Sequence, residues 1–179
     1  MGKRPASWVV ATLAALCAAC GTAPTRAIPA VAQVDLPRFM GDWYVIAHIP
    51  SFPERKAFDA VESYALRPDG KVQTTFRYRH GGFDQPLRTM RPVGTVRPGT
   101  GNAVWGMQFV WPIQAEYVIV YVDADYQQTI VGRSARDYAW IMARKPRIAE
   151  SDYRAHLARL KALGYDIRQV RRVPHAVAQ

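Results

Sequence analysis

Hydrophobic and polar positions alternate with the two-residue period of β-strands along most of this chain. In residues 72–79, Thr74, Phe76 and Tyr78 fall on one face, while polar side chains occupy the other. Further runs of this kind, separated by turn residues, complete a set of eight predicted strands. Their ranges are 43–49, 61–66, 72–79, 87–96, 103–110, 116–122, 129–134 and 138–144. Short strands with no helix between them indicate an all-β fold, an eight-stranded antiparallel up-and-down β-barrel, because closing the sheet removes its exposed edges.

One helix is predicted after the last strand. Residues 151–163 carry an apolar stripe at helical spacing. Ser151 is the candidate N-cap, and Gly164 follows the last periodic residue. Strand 116–122 is apolar on both faces, so its outer face needs a cover. We therefore expect one C-terminal α-helix packed on the barrel wall.

Residues 1–19 have the composition of a secretion signal. Lys3 and Arg4 precede an apolar run that is too short to cross a bilayer. Residues 16–20, Leu-Cys-Ala-Ala-Cys, resemble the lipobox of bacterial lipoproteins, which implies lipidation of Cys20. The alternative is an ordinary secretory signal cut nearby. We expect a signal peptide at 1–19, the lipidated cysteine and a flexible tether at 20–34, a folded domain at 35–170 and a basic tail at 171–179.

Composition and motifs exclude several classes of function. The net charge of +10 favours anionic partners, but no nucleic-acid-binding motif is present. Both cysteines, Cys17 and Cys20, belong to the leader or its end, so we expect neither a disulfide nor a cysteine metal site in the mature body. The histidines lack metal-ligand spacing, and we expect all of them on the surface; they are His48, His80, His156 and His175. No catalytic motif is present, so we expect no enzyme activity, no cofactor, no metal and no nucleic-acid partner.

Three short motifs carry a resemblance to a known family. Gly41-Asp42-Trp43-Tyr44 opens the first predicted strand, Asp123-Ala124-Asp125-Tyr126 lies between the sixth and seventh, and Arg144 ends the eighth. In this order the motifs resemble those of the lipocalins, and the chain is most similar to the bacterial outer-membrane lipoprotein and apolipoprotein D subgroup. The resemblance implies that Trp43 closes one end of the barrel and that Arg144 lies across its ring. The structural signature would comprise Gly41, Trp43, Asp125, Tyr126 and Arg144.

The resemblance and the alternation together predict an apolar cavity inside the barrel. Its ligand-binding residues would be Val45, Ala47, Tyr64, Phe76, Tyr78, Trp105, Met107, Phe109, Tyr117, Ile119, Trp140 and Met142. An eight-stranded barrel leaves room for one small ligand. Each buried methylene contributes about 0.8 kcal/mol, so such walls favour an acyl chain. The resemblance implies a fatty acid or a lysophospholipid. The alternative is that these side chains fill the barrel completely.

The predicted function is to bind, store or transport a hydrophobic ligand at the bacterial cell envelope. The expected partners are a lipid and, through an acylated Cys20, the outer membrane; a homodimer stays open. Arg55 and Lys56 would either meet an anionic headgroup or form a solvated loop. One alternative function is an enzyme of this fold acting on a lipid-like substrate, with Glu62 and Glu116 as paired acids. The other is a structural envelope lipoprotein with a filled barrel.

Overall fold

Antiparallel strands dominate residues 26–176, the part of the chain that the computed structural model describes. The strands are β1 (Gly41–Ile49), β2 (Ala57–Leu66), β3 (Val72–His80), β4 (Leu87–Met90), β5 (Val93–Val96), β6 (Val104–Val110), β7 (Ile113–Val122), β8 (Gln128–Gly132), β9 (Ala139–Ala143) and β10 (Arg171–Arg172). The α-helices are α1 (Leu36–Phe39) and α2 (Glu150–Ala162), and two 3₁₀ turns cover Phe52–Glu54 and Ile167–Gln169.

The sheet closes on itself, as the alternation predicted. Neighbouring strands pair antiparallel in the order β1-β2-β3-β5-β6-β7-β8-β9, and β4 pairs with β3. Strand β9 pairs back with β1, where Tyr44 lies opposite Ala143. Strands β4 and β5 together form the fourth barrel strand, since both pair with β3 in one continuous register. The interruption falls at Pro92, which has no N–H to donate. The eight-stranded antiparallel barrel is therefore confirmed.

A β-bulge changes which face of the sheet a side chain occupies, and the pairings of β1 with β9 and of β7 with β8 each contain one. In β1 the register shifts between Val45, opposite Met142, and Ala47, opposite Ile141. An extra residue in one strand turns every following side chain to the other face. Ala47 therefore packs in the layer outside the barrel, and its prediction as a cavity residue is wrong. A second shift in β7 turns Tyr121 outward in the same way.

Helix α2 covers the outer wall of the barrel. Its buried residues are Tyr153, His156 and Leu160. Tyr153 and Leu160 pack in one cluster with outward side chains of β1, β7, β8 and β9, and the His156 ring lies 5.3 Å from the Tyr121 ring. The N-cap is Ala149, not Ser151, and it makes no side-chain hydrogen bond. The helix ends before Gly164, whose φ of +90° favours glycine. The predicted wall helix is confirmed, with its first residue one position earlier than expected.

The segment before α1 lies along the barrel. The Val31 amide donates to the Ile119 carbonyl over 3.0 Å, and the Val34 amide donates to the Gly101 carbonyl over 2.8 Å. Ile28 and Val34 are buried. Residues 26–34, which we expected to belong to a flexible tether, instead pack against the folded domain. Cys20, the predicted lipidation site, lies outside the described residues.

The last described residues complete the sheet between β1 and β2. These two strands pair with each other only over Gly41–Tyr44 of β1, and beyond that point β10 pairs with β1 at Ala47 and His48. The Asp59 amide of β2 then donates to the Pro174 carbonyl over 2.9 Å. Part of the segment that we expected to be a basic tail therefore fills a gap in the barrel wall.

Candidate ligand-binding cavity

The closed end of the barrel is built around Trp43 and Arg144. Trp43 is fully buried, and its indole N–H donates to the Phe39 carbonyl over 2.8 Å. The guanidinium carbon of Arg144 lies 3.8 Å from the centre of the Trp43 ring, which is within the range of a cation–π contact. Arg144 also donates to the backbone carbonyls of Arg38, Met40, Asp42 and Tyr126. One guanidinium thus joins α1, the start of β1 and the turn after β7 to the same ring.

The structure brings two further signature residues to this cluster and leaves one outside it. Gly41 has a φ of +92°, and a Cβ there would lie 3.4 Å from an Arg144 nitrogen, so both backbone and space favour glycine. Tyr126 contributes the carbonyl that Arg144 reaches. Asp125 is exposed. The carboxylate that organises this turn belongs to Asp123. It accepts hydrogen bonds from the backbone amides of Gln127 over 2.7 Å and Gln128 over 3.0 Å.

Aromatic side chains fill the half of the barrel next to the closed end. Trp105 is fully buried and stacks on Tyr117 with ring centres 4.9 Å apart. Phe39 and Tyr64 meet Trp105 edge-on at 5.6 Å and 5.7 Å. Six residues predicted to bind ligand belong to the buried core without lining the cavity; they are Val45, Tyr64, Trp105, Ile119 and Met142, and Tyr78, which stacks on Phe76 farther toward the open end. The filled-barrel alternative therefore describes only one half of the interior.

The other half encloses a cavity of about 330 Å³. This volume lies at the lower end of the size range of small-molecule sites. The lining is mainly apolar and aromatic. It comprises Ser51, Pro53, Glu54, Glu62, Thr74, Phe76, Met90, Pro92, Met107, Phe109, Ala115, Glu116, Tyr117, Arg133, Tyr138 and Trp140.

Five of the predicted ligand-binding residues line this cavity. They are Phe76, Met107, Phe109, Tyr117 and Trp140. Phe109 lies at the mouth, where 54% of its surface is exposed. The predicted set is therefore split between the packed core and the cavity, and Ala47 belongs to neither.

A buried carboxyl group lies where the cavity meets the packed half. Glu62 of β2 lines the cavity and accepts a hydrogen bond from the Tyr64 hydroxyl. The Tyr64 hydroxyl lies 2.7 Å from that of Tyr117. Burial raises the pKa of Glu62 to about 7, against the lowering effect of the Tyr64 hydrogen bond. The same burial raises the pKa values of both tyrosines well above their usual range, so both hydroxyls keep their protons.

A second buried carboxyl, Glu54, joins the first loop to the last barrel strand. It accepts from the amide of Ser51 over 2.9 Å and from the indole N–H of Trp140 over 3.0 Å. The neighbouring His48 is also buried, and burial lowers its pKa although Glu54 raises it. His156 is buried as well and contacts Gln128 over 2.7 Å. The expectation that all histidines lie on the surface is wrong for these two.

Two more charged residues reach the cavity near its mouth. Glu116 accepts from the amide of Ser134 over 2.6 Å and from its hydroxyl over 3.0 Å. Arg133 forms an ion pair with Asp137 at 3.3 Å. Glu62 and Glu116 both line the cavity, yet each bonds to a different partner, and no hydrogen bond joins them among residues 26–176.

Sequence reasoning left out several lining residues for identifiable reasons. Glu62 occupies the same strand face as Tyr64, so the two-residue period already pointed it inward. Because a charged residue is rarely buried unless paired, Glu62 is predicted only in the enzyme alternative, as an acid paired with Glu116. Ser51 lies in a loop and Pro53 in a 3₁₀ turn, for which strand alternation gives no signal. Arg133 and Tyr138 fall in the predicted strands 129–134 and 138–144, but the structure places both in the β8–β9 connection.

Exposed hydrophobic side chains gather around the mouth. Within the described part of the chain, seven of the eight large exposed ones lie in the connections β1–β2, β3–β4 and β6–β7 or at the adjoining strand ends. We call these seven the mouth rim: Phe52, Phe83, Leu87, Phe109, Val110, Trp111 and Ile113. Arg55, Lys56 and Arg88 are exposed on the same connections and form none of the ion pairs found among residues 26–176.

None of the helices between residues 26 and 176 has the length and apolarity to cross a membrane. Over the same residues, no group of three or more histidine, cysteine, aspartate or glutamate side chains is arranged to hold a metal ion.

A β-barrel that is closed at one end and holds an apolar cavity at the other is typical of proteins that bind one small hydrophobic ligand. The model of the lipocalin-like domain matches residues 34–175, and the chain belongs to the lipocalin family. It is 28% identical over 161 residues to the outer membrane lipoprotein Blc of Escherichia coli, covering 88% of this chain and 89% of the relative. It is 27% identical over 157 residues to temperature-induced lipocalin-1 of Arabidopsis thaliana, covering 82% of each chain.

Solved structures support the fold. Insecticyanin from the tobacco hornworm Manduca sexta superposes with a TM-score of 0.65 at 15% identity, over 83% of this chain and 85% of that one. Apocrustacyanin C1 gives the same TM-score at 11% identity, over 87% of this chain and 94% of the other. Fold, family and cavity together indicate binding or transport of a small hydrophobic ligand.

Proposed function

We propose that this protein carries a single-chain lipid, such as a fatty acid or a lysophospholipid, at the bacterial cell envelope. The observation that carries the proposal is the cavity of about 330 Å³ inside the barrel, whose walls are mainly apolar. It has room for one chain, because the packed aromatic half closes the barrel below it. The proposed role is binding and delivery, without chemistry on the lipid.

The energetics of burial support an acyl chain. About ten methylenes leaving water would contribute roughly 8 kcal/mol before costs. Association costs at least about 4 kcal/mol in lost freedom of motion. Burial of the methylenes alone therefore leaves at most about 4 kcal/mol, and contacts of the head group must supply the remainder of the roughly 8 kcal/mol that a micromolar complex needs.

Envelope location rests on the Cys20 motif and on the names of the relatives, several of which are outer membrane lipoproteins. The path of the N-terminal segment supports it further. Arg136, in the β8–β9 connection at the mouth, donates to the Arg26 carbonyl over 2.6 Å. The chain from Cys20 to Arg26 reaches at most about 20 Å. An acylated Cys20 would therefore hold the mouth close to the membrane surface.

The mouth rim supports exchange of the lipid with that membrane. Its apolar side chains would enter the interfacial region, as amphipathic surfaces do. Each nearby Lys or Arg contributes about 1 kcal/mol at an anionic lipid surface, and Arg55, Lys56 and Arg88 are the exposed candidates. The lipid would then pass between membrane and cavity with little exposure to water.

The test is a competition titration on the purified soluble domain. A fluorescent fatty acid is bound first, and dodecanoate or a lysophospholipid displaces it. We expect displacement at micromolar concentrations and a loss of about tenfold, which corresponds to 1.4 kcal/mol, in Ala115→Phe, which adds bulk to the cavity wall. Ala158→Phe, on the exposed face of α2, is the matched control and should bind normally.

Melting curves separate a blocked cavity from a damaged fold. In an open cavity, Ala115→Phe should cost less stability than the roughly 1–3 kcal/mol typical of overpacking a filled core. If the wild-type protein binds none of these lipids at micromolar concentrations, the carrier function is wrong. A structural lipoprotein then becomes the better interpretation.

A further inference from the structure

The cavity is lined by more negative than positive side chains, and these side chains differ in how many hydrogen bonds or ion pairs they form with the protein. Three are glutamates and one is Arg133, which is paired with Asp137 at the mouth. Glu54 and Glu116 each receive two or more hydrogen bonds from protein donors. Glu62 receives one, from Tyr64, among the described residues. The carboxyl deepest in the cavity is therefore the one with acceptor capacity left for a ligand.

No positive side chain of the described protein compensates Glu62. Its strand carries Tyr64, β7 contributes Tyr117 and Glu116, and the first loop contributes Glu54, whose charge disfavours ionisation further. The facing residues of β1 and β3 are Trp43 and Phe76, which carry no charge. Arg133, on the β8–β9 connection, is committed to Asp137. A buried carboxylate without a counter-charge is costly, so a ligand that supplies the charge would gain that energy.

We propose that Glu62 is the recognition site for a positively charged head group, and that the cavity prefers a single-chain amphiphile with an ammonium head that enters head first. The inference rests on the proposed lipid-binding function and names the ligand class within it. An ammonium donates three hydrogen bonds, for which the Glu62 carboxylate and the Tyr117 hydroxyl are the nearest acceptors. The alkyl chain then lies along Phe76, Met107 and Trp140 toward the mouth.

Aromatic residues add to the selectivity of this site. Phe76, Tyr117 and Trp140 all line the same small space, and aromatic rings attract cations electrostatically. An anionic head would meet Glu62 and Glu54 as like charges, which is unfavourable. Fatty acids would therefore bind tail first, with the carboxylate near Arg55, Lys56 and Arg88 at the mouth. The same cavity would hold the two classes in opposite directions.

The test compares dodecylamine, dodecanol and dodecanoate, which share one chain length and differ in head-group charge. Alkyl ammonium groups stay protonated between pH 6 and pH 8, as lysine does. Ionisation of Glu62, with a pKa of about 7, rises about tenfold across this interval. We expect the dodecylamine affinity to rise by about tenfold from pH 6 to pH 8, while dodecanol changes little and dodecanoate does not gain.

Two variants test whether the pH-dependent affinity for dodecylamine comes from the Glu62 carboxyl. Glu62→Gln should bind dodecylamine about tenfold more weakly at pH 8 and lose the pH dependence, yet bind dodecanol as before. Glu150→Gln, an exposed residue of α2, removes the same charge and should leave both unchanged. Equal affinity for amine and alcohol at pH 8, or a pH profile unchanged in Glu62→Gln, would overturn the inference while the carrier function stands. Binding of none of the three probes would instead remove the carrier function itself.

Discussion

Replacing Trp43 by alanine tests the closed end of the barrel directly. The ring is fully buried, donates one hydrogen bond of 2.8 Å and lies 3.8 Å from the Arg144 guanidinium carbon. Large-to-small substitutions of buried aromatic residues cost about 3–5 kcal/mol, because the surrounding structure only partly fills the space. We expect a loss in this range for Trp43→Ala.

Trp111 offers a matched control at the opposite end of the molecule. It is 82% exposed at the mouth rim, so Trp111→Ala should change stability by no more than about 0.5 kcal/mol. Urea unfolding followed by far-ultraviolet circular dichroism gives both values if the transitions are two-state. Equal losses in the two variants would refute the assignment of Trp43 to the barrel base.

A double-mutant cycle separates the cation–π contact from the cavity left by the ring. Trp43→Ala and Arg144→Met are measured singly and together. The coupling energy should be about 0.5–2 kcal/mol, the range for such contacts. Because neither residue lines the cavity, folded Trp43→Ala protein should keep its lipid affinity. A large loss of affinity with an intact fold would show that the two halves of the barrel are not independent.

Two further predictions concern Glu62 and the membrane anchor. Burial raises the pKa of Glu62 from 4.5 to about 7. Because the folded protein holds this proton more tightly than the unfolded chain does, the free energy of unfolding should fall as the pH rises between these two pKa values. The expected fall is roughly 3 kcal/mol. Urea unfolding at pH 5 and pH 8 should show this decline in wild type and not in Glu62→Gln; parallel declines would contradict it. In a bacterial host, Cys20→Ser should shift the protein from the membrane fraction to the soluble fraction or leave its leader uncleaved, and unchanged membrane retention would remove the anchor proposal.

Strand number, order and the wall helix could be predicted from the sequence because each depends on local periodicity. Residues 72–79 show why: every second side chain faces inward, and the structure keeps that phase from Thr74 to Tyr78. A β-bulge reverses the predicted inward or outward position of the residues that follow it, without changing the alternation in the sequence. Nothing in the sequence around Ile46 marks the extra residue that turns Ala47 outward, because the bulge depends on pairing with β9.

The cavity was harder to predict than the barrel. Alternation tells which side chains face inward, but it does not tell which of them meet and fill the interior. Trp105 and Phe109 lie on one strand, and the first is fully buried while the second is half exposed. The difference comes from the aromatic cluster around Phe39, whose members are far apart in sequence. From the sequence, Glu62 enters only the enzyme alternative, as an acid paired with Glu116, because charged residues are rarely fully buried unless they are paired.

The position of β10 has a consequence for when the protein can acquire its native state. Tyr44 pairs with Ala143, and the Val173 amide donates to the Ile46 carbonyl over 3.0 Å, so the first strand depends on segments made near the end of synthesis. Contacts between such distant segments form slowly. A nascent chain that lacks its last residues cannot complete the wall and should stay open. If the chain is exported, this delay would keep it unfolded, and so competent for translocation, until it has crossed the inner membrane.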